Sequence, residues 1–346
     1  MGAGLEKAHT QPVISVVIPA YNAAATIGDQ LAALARNSLD EPWEVIIADN
    51  GSTDGTASVA QSWADRLPLR VVDASARRGP GAARNIGVAS ARSSRIAFCD
   101  ADDQVADDWL PKVLSALRVD EFAALGVLWR APYSSRRRPQ YVVYAMYASD
   151  YAPGLVACGS SHMAIRAEPF GAVGGFDETL LTGEDHDLCY RLQLAGHRLV
   201  AHPEVIVTWR RRERLADLFR QQFRWGADEG ALRHKYAQVR PVLARALADG
   251  RIGPPDPDDI AVRPLDARAA RSDRVSGALR SWAELEDLVA RLWSRWSIGA
   301  VQKFAFSLGR RWASVDTTRP QLGAIVAERY VAAADGGAVT PARGRG

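Results

Sequence analysis

The stretch "RIAFCDADDQVADDW", residues 95–109, opens as a strand and breaks into acid. Ile96, Ala97, Phe98 and Cys99 form a short apolar run of the kind a parallel sheet buries on both faces. Asp100, Asp102 and Asp103 then crowd into four positions. Neighbouring carboxylates raise one another's pKa, so the cluster is costly unless water screens it or a cation belongs there. The plain alternative is a solvated acidic turn capping the helix that "DDWLPKVLSAL" predicts.

Upstream, the same rhythm of strand and helix repeats. "VISVVIPA" (13–20), "WEVIIAD" (43–49) and "LRVVDA" (69–74) read as strands. "AATIGDQLAALAR" (24–36), "TASVAQSWADRL" and "GAARNIGVASA" (81–91) read as the helices between them. Alternation with connections this short implies a parallel sheet covered by helices on both faces. Ligands of such sheets bind beyond the carboxyl ends of the strands. The polar clusters lie there: "PAYN" after the first strand, "DNGSTDGT" after the second and "DADD" after the fourth.

Further along, "FAALGVLW" (122–129), "YVVYAMYA" (141–148) and "RLVAHPEVIVTW" (198–209) read as extended segments. "EDHDLCYRLQLAG" (184–196) predicts a helix with acids in its first turn, where the macrodipole favours them. "RLADLFRQQFRWGADEGALRHKY" (214–236) predicts a helix that stops at Gly226. The expected division is a flexible segment 1–12, a main α/β domain 13–240, a Pro- and Gly-rich linker 241–274, a helical region 275–332 and a disordered tail 333–346. Leu285, Leu288, Leu292 and Trp296 fall near one helical face of that last region. Its Trp282, Trp293, Trp296 and Trp312 lie amid Arg and Lys, and the two readings are a membrane-surface helix or a helix packed on the domain or a second subunit.

The chain has 346 residues, 47% hydrophobic and 24% charged, with a net charge of +3, an ordinary globular balance that gives no reason to expect nucleic acid. The basic runs "SRRRP" (135–139) and "WRRRER" (209–214) read as solvated faces. Three scattered cysteines fit neither a disulfide scaffold nor a CxxC zinc site. With no apolar leader and no run approaching ~18 apolar residues, the expectation is a cytoplasmic protein, peripheral at the inner face of the membrane if the C-terminal helices bind lipid. A nicotinamide-dependent oxidoreductase would place G-x-G-x-x-G after the first strand, where "PAYNAAAT" stands. A nucleotidyltransferase would want a Gly-rich, basic loop at the same place.

Five ordered blocks, "SVVIPAYNAAATIGDQLAAL", "EVIIADNGSTDGT", "GPGAARNIGVASARSSRIAFCDADD", "GGFDE…GEDHDLCYRL" and "QQFRW", resemble the family 2 glycosyltransferases over residues 13 to 230. The resemblance implies an α/β GT-A fold, Rossmann-like, with a mainly parallel sheet flanked by helices and a C-terminal helical extension. It implies inverting transfer of a sugar from a nucleoside-diphosphate donor to an acceptor hydroxyl. Pro19, Tyr21 and Asn22 would lie near the base and ribose. Asp49 and Asn50 stand where the family most often has Asp-Asp-Gly-Ser, so the donor base stays open among UDP, dTDP and GDP. Arg84 would contact the base or diphosphate and Asn85 would position its loop. Asp102 matches the metal ligand and Asp100 the ribose or metal contact, with Ala101 between them, for Mn2+ or Mg2+; Asp103 would support them. Asp185 is the implied catalytic base with Glu184 beside it, and His186 is a weaker candidate. Gln221, Arg224 and Trp225 match a Q-x-x-R-W clamp for diphosphate and acceptor. Glycan, lipid-linked sugar, peptide and small-molecule acceptors are all compatible. The rival is a non-catalytic sugar-nucleotide-binding scaffold that keeps the fold.

Overall fold

The computed structural model describes residues 11–130, 141–210, 215–258, 260, 263–265, 297–312 and 317–335. Its first half follows the alternation read above: β1 (Ile14–Ala20), α1 (Ile27–Leu34), β2 (Trp43–Asp49), α2 (Thr56–Gln61), β3 (Leu69–Asp73), α3 (Pro80–Ala89) and β4 (Arg95–Phe98). These four strands are parallel in the order β3-β2-β1-β4. Alternate residues of β1 feed two cores. Ile14, Val16 and Ile18 pack with Leu31 and Leu34 of α1, whereas Val17 joins Ile46, Ile96 and Phe98 on the other face. Gly87 of α3 meets Val17 so closely that a Cβ there would lie 2.4 Å from its Cγ1, which brings that helix down on the sheet.

Past β4 the polarity becomes mixed. After the short β5 (Gln104–Val105) and α4 (Trp109–Val119) comes β6 (Phe122–Arg130). Next are β7 (Tyr141–Tyr144), β8 (Tyr147–Ala148), β9 (Val156–Ala157), β10 (Met163–Arg166) and α5 (Ala167–Ala172). β10 runs antiparallel between β4 and the first half of β6, and β7 pairs with the second half. Then α6 (Glu184–Leu194) leads into β11 (Leu199–Thr208), which pairs parallel with β6 and antiparallel with β5. The segment 141–148, expected as one strand, divides into β7 and β8 around the buried Ala145 and Met146.

The C-terminal third departs from expectation in two places. Helix α7 (Leu215–Lys235) does not stop at Gly226 but runs through it. Gly226 faces α9 (Ser297–Trp312), and a Cβ there would fall 2.0 Å from the Phe306 carbonyl oxygen. Reciprocally, a Cβ on Gly309 would fall 2.0 Å from the carbonyl oxygen of Phe223. Glycine at 226 therefore serves a helix crossing, where tertiary packing overrides its poor propensity. The expected linker 241–274 begins inside α8 (Val239–Ala248) and includes β12 (Arg263–Leu265), which pairs with β7. Val239, Leu243 and Ala246 of α8 are buried in one core with Ala327 and Val331 of α10 (Ala324–Asp335), a burial that favours helix there. Most of the expected N-terminal segment, the stripe at Leu285, Leu288 and Leu292, and Trp282, Trp293 and Trp296 lie outside the described residues, as does most of the expected tail. Among the described residues no helix is long and apolar enough to cross a membrane.

Candidate active site

The loops after β1 and β2 are stitched to each other. Pro19, the last residue but one of β1, lies opposite Ala48. Asn22 takes a left-handed backbone, φ 50°, held because its side-chain oxygen accepts the Thr53 N–H at 2.9 Å and its own N–H donates to Ser52 Oγ at 3.0 Å. Asp49 accepts the Ser52 N–H at 3.1 Å. Tyr21 is exposed, with the Arg78 guanidinium 5.3 Å from its ring centroid. Nothing in the sequence pattern singles out Arg78.

Two asparagines read from sequence as nucleotide neighbours are committed to the protein itself. Asn50, buried, donates to the carbonyls of Ala74 at 2.6 Å and Arg77 at 2.8 Å and accepts the Gly79 N–H at 2.9 Å. Both its N–H donors are used, so it has none to spare for a base. Asn85 exchanges hydrogen bonds with the Phe176 backbone, both at 2.9 Å, and donates to Glu178 at 3.0 Å, tying α3 to the "GGFDE" turn.

After β4, Asp100, Asp102 and Asp103 each place a carboxylate oxygen within 4.8 Å of the others, with Ala101 buried between them. Arg210, just past β11, closes this turn: its N–H donates to Asp103 Oδ1 at 3.0 Å and its Nε to the Asp102 carbonyl at 2.9 Å, while its guanidinium also bonds Asp29. The run "WRRRER" was read as a solvated face; Arg210 within it is a loop clamp.

Arg84 is the centre of the site. It is buried, with Nη2 2.6 Å from Asp100 Oδ1 and Nη1 2.9 Å from Glu184 Oε1. Its guanidinium also sits 5.7 Å over the Phe176 ring. Burial works against the charged form, but Asp100 and Glu184 more than offset it and hold the Arg84 pKa above its ordinary value. Glu184 begins α6 after Gly183, whose φ of 75° suits glycine. Burial and then Asp185 push the Glu184 carboxyl above the usual range, against the pull of Arg84. The two adjacent acids differ in access: the Glu184 side chain is 6% exposed and Asp185 19%. Asp185 is oriented by the Ser160 N–H at 3.2 Å and the His186 N–H at 2.8 Å. His186 is taken by two tyrosines, bonding Tyr147 through Nε2 and Tyr151 through Nδ1 at 2.8 Å. Tyr144, pushed up to about 12 by burial and by Asp103 and Asp185, feels both carboxylate sets.

On α7, Trp225 stacks on Trp209 with centroids 6.2 Å apart and planes at 21°. Since Arg210 holds the acidic turn, this stack joins α7 to the Asp102 loop. Gln221 is half-buried and Arg224 is exposed on the same helix. The structure thus brings Arg84, Asp100, Glu184 and Asp185 together, with Trp225 linked through Trp209, while Tyr21, Asn22 and Asp49 line the neighbouring strand ends.

A family model described as glycosyl transferase family 2 matches residues 15–172. The glycosyltransferase YfnE of Bacillus subtilis is 36% identical over 121 residues, 35% of this chain and 31% of that protein. The glycosyltransferase AglE of Haloferax volcanii is 27% identical over 253 residues, 69% of this chain and 82% of that protein. Among solved structures, the mannosyltransferase PcManGT of Pyrobaculum calidifontis, in complex with GDP-Man and Mn2+, superposes with a TM-score of 0.50 at 20% identity, covering 88% of each chain. Over residues 15–172 the chain is similar to glycosyl transferase family 2, and its fold is of the GT-A type.

Proposed function

We propose that this chain moves a sugar from a nucleoside-diphosphate donor to an acceptor hydroxyl with inversion at the anomeric carbon. The observation that carries the reading is the meeting, through Arg84, of the acidic turn after β4 with the first turn of α6. Asp185, the more accessible acid, takes the acceptor proton as the acceptor oxygen attacks the anomeric carbon. The bond from that carbon to the diphosphate oxygen breaks in the same displacement, and the diphosphate leaves with the electron pair. Glu184 is excluded from the base role in this scheme because Arg84 already holds it. Tyr21, Asn22 and Asp49 line the nucleoside end, and Gln221, Arg224 and Trp225 the acceptor and diphosphate end.

The clustered oxygens of Asp100, Asp102 and Asp103 are the hard donors that suit Mn2+ or Mg2+, so the residues fit such an ion. A cation held there supplies positive charge against that developing on the departing diphosphate. PcManGT, described with GDP-Man and Mn2+, supports a donor and an ion of this kind for the same fold. The acceptor is a glycan, a lipid-linked sugar, a peptide or a small molecule. The test is calorimetric titration of UDP, dTDP and GDP with and without Mn2+, on the wild type and Asp102→Ala. Metal-dependent binding of one nucleotide, lost in the variant, is the expected result. No binding of any of the three would leave a fold without the chemistry.

A further inference from the structure

We infer that Arg84 is a positioning residue that couples the acidic turn to the helix carrying Asp185, rather than a contact for the nucleotide; the inference rests on the donor reading above. The guanidinium is buried on all sides, lying over Phe176 with one nitrogen on Asp100 and another on Glu184. Asp100 and Glu184 are far apart in sequence, one in the loop after β4 and the other at the start of α6. The planar fork of arginine spans two carboxylates at a set angle, which the single ammonium of lysine cannot reproduce. Buried as it is, with two of its nitrogens on carboxylates, this guanidinium offers little surface to a phosphate or a base.

What it does have is leverage over two groups. Asp100 is one arm of the oxygen cluster, and Glu184 is the residue before Asp185. Gly81, three residues before Arg84 in α3, reflects the tight fit: a Cβ there would lie 3.3 Å from Glu184 Cγ and 3.2 Å from Phe176 Cβ. Movement of Asp100 toward an arriving cation would therefore be transmitted through a rigid guanidinium to the start of α6. In this arrangement the cation turn and the base helix behave as one body, and loading of the first sets the second.

The experiment is hydrogen exchange on the full chain, before and after Mn2+ with UDP, dTDP or GDP, whichever the wild type binds. In the wild type, protection is expected to rise at least tenfold both at residues 100–103 and at residues 183–187. In Arg84→Lys the gain at 100–103 should remain and that at 183–187 should vanish. Hydrolysis of the matching nucleotide sugar should show kcat reduced at least 30-fold with donor KM within threefold. A tenfold rise in donor KM at unchanged kcat, or surviving coupling in Arg84→Lys, would overturn the inference. Glu184→Gln keeps an acceptor for Nη1 without the charge, which guards against a lysine variant that fails to fold. It should retain donor KM, show the same coupling reduced in size, and lose three- to tenfold in kcat. A thousandfold loss there would make Glu184 the base and end this reading. Absence of nucleotide binding in the wild type would instead end the donor reading, and this inference with it.

Discussion

Replacing Asn50 by aspartate introduces the acid that the family 2 resemblance leads one to expect at this position, yet here it should damage the protein. The Asn50 amide donates to two carbonyls, Ala74 at 2.6 Å and Arg77 at 2.8 Å, and its oxygen accepts from Gly79 at 2.9 Å. Those three contacts allow one amide orientation, because the flipped form would set its oxygen against both carbonyls. A carboxylate at 50 loses two donors, each about 0.5–1.5 kcal/mol, and confronts two acceptors with negative charge in a buried place. Including that confrontation, the total is about 3 kcal/mol. The charge makes the effect pH-dependent. Burial and the two carbonyls would raise the folded carboxyl pKa above its unfolded value of about 3.9, so the charge part of the penalty is absent below roughly pH 4, while the cost of a missing donor stays. The charge part then grows by about 1.4 kcal/mol per unit until the folded pKa is passed. Urea denaturation at pH 8 and pH 4 reads the stability, and trypsin nicking after Arg77 or Arg78 reads local opening of the 74–79 loop. A variant within 0.5 kcal/mol of wild type at pH 8, a margin set by ordinary surface substitutions, with unchanged trypsin cleavage would refute the reasoning.

Gly226→Ala should cost about 1–3 kcal/mol by forcing α7 and α9 apart, whereas Gly28→Ala in α1, where an added Cβ meets nothing within 4 Å, should be neutral or stabilising; thermal unfolding of the pair separates packing from propensity. Asp187→Ala removes the buried partner of Arg191 Nε and Lys235 Nζ, both at 2.7 Å, and of the Tyr236 hydroxyl at 3.1 Å, and should lower stability by about 3–5 kcal/mol in denaturant titration. His162 is buried and its pKa is lowered to about 4 by that burial, so the unfolded chain takes up its proton first. Stability should fall as pH drops from about 6.5 toward 4, by on the order of 3 kcal/mol, and His162→Phe should flatten that slope.

Strand and helix order through Cys99 was legible because each element carries its own periodicity and the polar clusters punctuate strand ends. The acids of the turn and of α6 were legible as residue types. What they touch was not, since Arg84 meets Glu184 across one hundred positions and Asn50 meets a loop beyond β3. Sequence spacing registers neighbours along the chain, and these partners are chosen by the sheet. Gly226 misled for the same reason: a breaker in local terms is a spacer once a second helix arrives. The Pro-rich stretch after α8 hid β12, a strand of three residues that exists only by pairing with β7.

The crossing at Gly226 and Gly309 has a geometric consequence for the chain's last third. With each backbone carbonyl seated where the other helix lacks a side chain, sliding α9 by one residue would drive a Cβ into the carbonyl it now faces. The two helices therefore have a single mutual register, like a notch cut into each of two crossed beams. Because α7 also bears Trp225, the distant end of the sequence sets where that indole stands beside Trp209.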